Sequence, residues 1–354
     1  MGNLAITYQN IADILSFETP NSKLEKDLSH PAFDWDAIVI EGSKHLVLPA
    51  IYCRLKAKQL LHVLPEELHT YLEELTSINR NRNEALLSQV HSISKLLNEH
   101  QIEHAFLKGS ALLALCCFAD NAERMIGDID ILVSLNQIDK ANHLLENTDY
   151  NPIEQTLGDD FFEHKHMPRM KTKLHVCAVE LHRKLFVSYT YHELTSETIL
   201  NKKIKSANIY IPSQKHLLMH TILNFQINDK GALFNSISFR SAYDTIALQR
   251  DYNDDTTWYG SKIFKSYFNY TSLFFKDIKI ATKAKSNFLT FFYLFKLKHI
   301  TFYRFWNKLL NISSLVALLL KRLSFFVSNR PYRKAIINDR KRVFKHFKSI
   351  LNKF

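Results

Sequence analysis

Asp128 and Asp130 stand two residues apart where a short apolar run, GDIDILVS, begins. Side chains at i and i+2 of a strand point to one face, so both carboxylates look the same way. Acids placed like this repel one another unless a cation lies between them. Hard carboxylate oxygens suit Mg²⁺, which keeps waters and takes further oxygens from substrate phosphates. A third acid on a neighbouring strand would complete a site for two ions about 3.5–4 Å apart that clamp an in-line displacement at phosphorus. Glu180, between Val179 and Leu181 in KLHVCAVELHRKL (173–185), has that place. It shares one face with Val176, Ala178 and His182 by period two, in a strand expected beside 127–133.

The other half of such a site must receive an anion. Gly109-Ser110, a turn opening a helix, presents backbone N–H groups and a hydroxyl. Lys108 and Arg124 add positive charge to the same pocket. Taken singly, each feature is ordinary: two aspartates at a strand end, a Gly-Ser turn and a solvated lysine are all common. Their order along the chain is what points to chemistry. Among the histidines, His164 and His166, flanked by lysines, read first as surface residues, and a place for His166 and His182 at the border of the acids is the alternative. His164, His166, His175 and His182 are not expected to form a zinc cluster, because His175 and His182, seven apart, face opposite sides of a strand. Arg240 and Asp244, four apart, read as an ion pair along one helix.

The elements that must carry these residues follow from periodicity. Residues 1–104 read mostly as helices. Pro65 with Glu66 and Glu67 starts one, as early acids should, and Leu86, Leu87, Val90, Ile93, Leu96 and Leu97 line a stripe of the last. After Gly109-Ser110, ALLALCCFA continues as a buried helix. GDIDILVS is a strand, and NQIDKANHLLEN is an amphipathic helix with Asn136 as its cap. Strand and helix alternate through 105–185, and helices resume from about 213. The boundaries expected are a helical region at 1–100, a catalytic domain at 101–212, and a helical part at 213–354.

With 354 residues, 46% of them hydrophobic and 23% charged, the chain can bury a sizeable core and does not read as disordered. Its four cysteines form no CxxC, so neither a zinc ribbon nor a disulfide framework is indicated, which suits a reducing cytoplasm. No basic stretch precedes an apolar core at the N-terminus, so no secretory signal is expected. Charge is unevenly divided. Residues 260–354 hold 21 Lys and Arg against 2 Asp and Glu, while the remainder holds 25 against 33. This basic part also holds 15 of the 25 phenylalanines and should be helical. Its longest uncharged run, LLNISSLVALLL, ends at Lys321-Arg322, short of the roughly 20 residues that span a bilayer, so no transmembrane span is expected. A polyanionic partner is expected instead. RNA or tRNA is placed ahead of anionic lipid, because an acidic body repels phosphate polymers that a basic module would hold. Peripheral contact with the inner membrane surface is the alternative.

The segments LKGSALL, RMIGDIDILV, HKHMP and VELHRKLF together resemble the nucleotidyltransferase superfamily of DNA polymerase β. They are most similar to a family of uncharacterised bacterial nucleotidyltransferases with a helical N-terminal region. HLLMHTILNFQINDKG and FRSAYDTIAL resemble that family's later helices, so the likeness covers roughly 40–250. Seventeen residues separate Ser110 from Asp128, more than in minimal members. The resemblance implies an α+β fold, with a polymerase β-like mixed sheet and helices between helical flanks. It implies that Asp128 and Asp130 bind two Mg²⁺ ions, and that Glu180 holds the catalytic one and helps deprotonate an acceptor hydroxyl. It further implies that Ser110 and the Gly109 backbone hold the β- and γ-phosphates of a nucleoside triphosphate, assisted by Lys108 or Arg124. The expected activity is nucleotide transfer with release of pyrophosphate. The alternative is a non-catalytic RNA- or membrane-binding protein that keeps the fold.

Overall fold

The computed structural model describes residues 3–153, 161–187, 191–250, 252, 257–279 and 288–351. Five helices come first: α1 (Leu4–Leu15), α2 (Asn21–Leu28), α3 (Trp35–Lys44), α4 (Leu48–Ala57) and α5 (Glu66–Glu99). The run expected to hold more than one helix is a single helix of 34 residues, α5, that starts after Pro65. Its Leu86, Val90, Ile93 and Leu97 are buried, and Leu87 and Leu96 pack against the same core.

The stretch expected to be catalytic holds β1 (His104–Phe106), α6 (Lys108–Ala114), β2 (Asp128–Val133), α7 (Ile138–Glu146), β3 (Asn151–Pro152), β4 (Met170–Lys171) and β5 (Ala178–His182). The five strands form one mixed sheet in the order β1-β2-β5-β4-β3. β2 and β5 are parallel, and β1 lies antiparallel to β2. Five of the six residues of β2 are buried, as a central strand covered on both faces should be. Two sequence expectations are corrected here. The strand expected over 173–185 is confined to 178–182; residues 173–177 are irregular, and Val176 is exposed rather than sharing the buried face. The cap of α7 is Gln137, not Asn136, whose side chain instead accepts a bond from the Ser134 hydroxyl.

Helices then return: α8 (Ser196–Asn201), a hairpin of β6 (Ile204–Ser206) and β7 (Ile209–Ile211), then α9 (Gln214–Leu223), α10 (Gly231–Phe234), α11 (Phe239–Arg250) and α12 (Lys262–Thr271). Beyond them lie α13 (Phe288–Lys298), α14 (Ile300–Ser328), α15 (Arg330–Asn338) and α16 (Arg340–Leu351). One buried apolar cluster runs from Leu4 through the sheet to Leu297. The fold is thus α+β, a mixed sheet between helical flanks.

Helix α14 departs from expectation. It continues through Lys321-Arg322 for 29 residues, about 44 Å at 1.5 Å per residue, and by length and composition could cross a membrane. Two cations interrupt the apolar sequence but not the helix.

Candidate active site

The parallel pairing of β2 with β5 sets Asp130 directly opposite Glu180 and Asp128 opposite Ala178. Adjacent strands lie about 4.8 Å apart, so the ladder itself fixes the separation of the two acids. Atoms of Asp130, Glu180 and His182 all lie within 4.8 Å of one another, close enough to share one metal ion. Asp128 sits one strand pleat away on the same face. Three convergent carboxylates with an imidazole nitrogen form a donor set that fits a divalent cation.

Each acid has a cationic neighbour. Lys108 Nζ is 2.5 Å from Asp130 Oδ1, and His182 Nε2 is 2.7 Å from the same oxygen. Arg169 Nη2 is 2.7 Å from Asp128, and its Nε is 3.6 Å from Glu180. His166 and His182 approach Glu180 at 3.7 and 3.5 Å. These partners decide the charge states. Burial alone would push the Asp130 carboxyl up, but Lys108 and the His182 bond outweigh it and hold the group well below the usual range. Glu180 follows the same logic: burial raises it, and the His182 bond and His166 bring it below normal. Asp128 is raised, by burial first and then by Asp130 and Glu180, against the pull of Arg169.

Backbone geometry explains why these residues meet. The Leu107 amide bonds the Asp130 carbonyl at 2.9 Å, extending the β1–β2 pairing to the residue before Lys108. Lys108 takes a left-handed conformation with φ 51°, which costs a non-glycine residue about 1–2 kcal/mol and turns the chain into α6. Gly109 is required by space. A Cβ there would lie 2.7 Å from Ile126 Cγ1, so the backbone of α6 can approach the segment before β2 only without a side chain. On the far side, the Met167 amide bonds the Leu181 carbonyl at 2.8 Å and aligns His166 beside Glu180.

Helix α5 braces the approaches to both strands. Asn79 and Asn83 donate to the carbonyls of Ala122 and Asn121 at 2.7 and 2.6 Å, and both reach the Arg124 carbonyl. Gln89 clamps Cys177 just before β5, donating to its carbonyl at 2.9 Å and accepting from its amide at 3.2 Å.

A cleft of about 190 Å³ opens beside the acids, lined in part by Lys108, Gly109, Arg124, Asp128 and Asp130. Lys165, His220, Asp229 and Arg240 also line it; Lys165, His220 and Asp229 do not stand out in the sequence by type and spacing. Lys165 and Arg240 have pKa values lowered chiefly by burial and secondarily by neighbouring cations. His220 is pushed down to about 3 by burial. The segment HLLMHTILNFQINDKG, which folds into α9 and a π-helical turn at Asn224–Asn228, was the available signal for His220 and Asp229. Arg124 lines the cleft while its Nε pairs with Asp244 at 2.8 Å. The expected pairing of Arg240 with Asp244 is replaced by this one; among the described residues no ion pair joins Arg240 to Asp244. Ser110 is turned away: its buried hydroxyl donates to the Leu107 carbonyl at 2.9 Å, and it does not line the cleft. Of the two acids that precede β5 nearby in the sequence, Asp159 lies outside the described residues, and Glu163 is exposed and pairs with Lys184, away from the site.

No curated protein matches the chain. The family model described as an uncharacterised nucleotidyltransferase matches residues 31–260, which takes in the sheet, the three acids and the cleft-lining helices, and the chain belongs to that family.

Proposed function

We propose that the protein transfers a nucleotide from a nucleoside triphosphate to an acceptor hydroxyl, releasing pyrophosphate, with two Mg²⁺ ions held by Asp128, Asp130 and Glu180. Membership in the family supports the general role. The observation that carries the finer reading is the register of Asp130 opposite Glu180, with Asp128 on the same face and four cationic side chains lining the adjoining cleft.

In this reading the ions supply Lewis-acid stabilisation of charge on the phosphoryl oxygens. The protein's own residues do the rest. Lys108, Lys165, Arg124 and Arg240 receive the triphosphate, and the Gly109 backbone at the start of α6 meets its phosphate oxygens. The Ser110 hydroxyl joins them only if it rotates away from the Leu107 carbonyl. Glu180 Oε2 accepts the proton of the acceptor hydroxyl, with His166 and His182 orienting that oxygen. The acceptor oxygen then bonds to the α-phosphorus, and the bond to the bridging oxygen of the β-phosphate breaks. Acceptors in the superfamily that the sequence resembles include RNA ends, small molecules and protein hydroxyls.

The test is incubation of the purified protein with each labelled nucleoside triphosphate, Mg²⁺ and cell extract. A macromolecule or metabolite labelled by wild type and not by Asp130→Ala supports the reading. Equal labelling by both proteins sinks it. A protein that binds RNA or vesicles with no label transferred under any nucleotide would instead be a binding module that keeps the fold.

A further inference from the structure

Helix α14 carries a continuous apolar stripe that nothing covers among the described residues. Phe305, Leu309, Ile312, Val316, Leu319, Leu320, Leu323 and Val327 are all exposed. At 100° per residue they fall within an arc of about 100°, and from first to last they span about 33 Å. No charged side chain lies within the stripe. Arg304 and Lys308 flank it on one side. The following α15 and α16 add exposed Lys334, Arg340, Lys341, Lys345 and Lys348. A soluble surface rarely leaves so long an apolar row to water.

We infer that α14 lies along the surface of an anionic phospholipid bilayer, with its stripe in the acyl boundary and the cations of α14–α16 among the headgroups. Three alternatives fit the same helix less well. RNA, favoured from charge alone, is held by aromatic stacking between cations, and seven of the eight stripe residues are aliphatic. A second copy of the chain would bury the stripe but would bring two basic surfaces together; from residue 300 onward Asp339 is the sole acid in the sequence. A crossing helix would have to leave its protein neighbours near its C-terminal end, where Phe325, opposite the stripe, is engaged. Phe325 packs on Phe162 at 5.0 Å and on Tyr332 at 5.0 Å, and the Arg322 guanidinium lies 3.6 Å over the Phe162 ring. An anionic surface satisfies the stripe and the charge together.

The experiment is co-sedimentation of the full chain with vesicles of phosphatidylglycerol and phosphatidylcholine, against vesicles of phosphatidylcholine alone, over a salt series. Wild type should pellet with the anionic vesicles and be weakened by salt. Val316→Asp with Leu323→Asp should lower that affinity about tenfold or more, since two apolar side chains are lost from the interface. Lys341→Gln with Lys345→Gln and Lys348→Gln should flatten the salt dependence. All these positions are exposed, and circular dichroism with a thermal melt of each variant checks that the fold persists. Four outcomes would overturn the inference. These are vesicle binding unchanged in the stripe variant; no vesicle binding but salt-dependent binding of labelled tRNA; no vesicle binding but a dimer by sedimentation equilibrium that the stripe variant loses; or retention in membranes through an alkaline carbonate wash, which would place α14 across the bilayer.

Discussion

Asp130 receives both Lys108 and His182 on one oxygen while facing Glu180 across the sheet, so its charge is held in place before any ligand arrives. If Glu180 accepts the acceptor's proton, Glu180→Gln should keep triphosphate affinity and lower kcat by about 10²–10⁴. Glu163→Gln, at an exposed position paired with Lys184, should leave turnover unchanged. Single-turnover kinetics with separate binding measurements distinguish the two, and full activity in Glu180→Gln would end the assignment. A second prediction concerns His45, whose Nδ1 accepts from the Phe239 amide and whose Nε2 meets the Tyr8 hydroxyl. Burial, with help from Lys44 and Arg240, pushes it down to about 4. A histidine depressed in the folded state stays neutral there while the unfolded chain takes up a proton. Its stabilising contribution is therefore complete above about pH 6.5, the unfolded value, and is lost as pH falls from there toward 4. The slope is about 1.4 kcal/mol per pH unit for one group. His220, also depressed, acts in the same direction. Guanidinium unfolding at a series of pH values should show stability falling across this window, and His45→Gln should remove about one proton from the slope. An unchanged slope would mean that His45 is protonated when folded.

Helix α5 governs the site without touching it. Gln89→Ala would strand the amide and carbonyl of Cys177 in a buried place, at a cost of roughly 1–3 kcal/mol. It would also loosen the strand that carries Glu180, so kcat should fall along with the unfolding midpoint. A stability loss with kcat untouched would show that the clamp serves folding alone. None of this bracing was legible in the sequence, because Asn79, Asn83 and Gln89 are polar positions in an amphipathic helix and look like its wet face. What was legible obeys a short period. Asp128 and Asp130 share a face because strands alternate, and Glu180 stood out as an acid within an apolar strand. The ends of that strand were not legible, since residues 173–177 alternate in type yet make no ladder. The cleft was legible only near Gly109 and Arg124. Lys165 comes from an irregular segment, while His220 and Asp229 come from a helix and turn about ninety to a hundred residues beyond β2. Arg124 finds Asp244 across 120 positions, a pairing that no local pattern announces.

At the scale of the whole molecule, the basic helices meet the sheet-bearing part through an aromatic cluster. Phe161 and Phe162 pack against Phe325 and Tyr332, and four residues beyond Phe162 stands His166, beside Glu180. If α14 rests on a bilayer, anionic vesicles should alter kcat in the wild type. Phe162→Ala should still bind vesicles yet lose that response, as measured by turnover with and without vesicles at saturating nucleotide. A response retained in Phe162→Ala would separate membrane contact from catalysis. The parallel pairing of β2 and β5 has a further consequence, one of inheritance rather than mechanism. Parallel strands need a long crossover, here residues 134–177, and that crossover supplies Arg169 and His166 as well as the perch for α14 and α15. The acids are held by the ladder and by α5, so the stretch of the crossover between β3 and His166 can change in length and composition without moving them, while Arg169, His166 and the Cys177 clamp stay. A lineage could therefore redirect the same chemistry to a new recipient by rewriting one segment of chain and leaving the strands untouched.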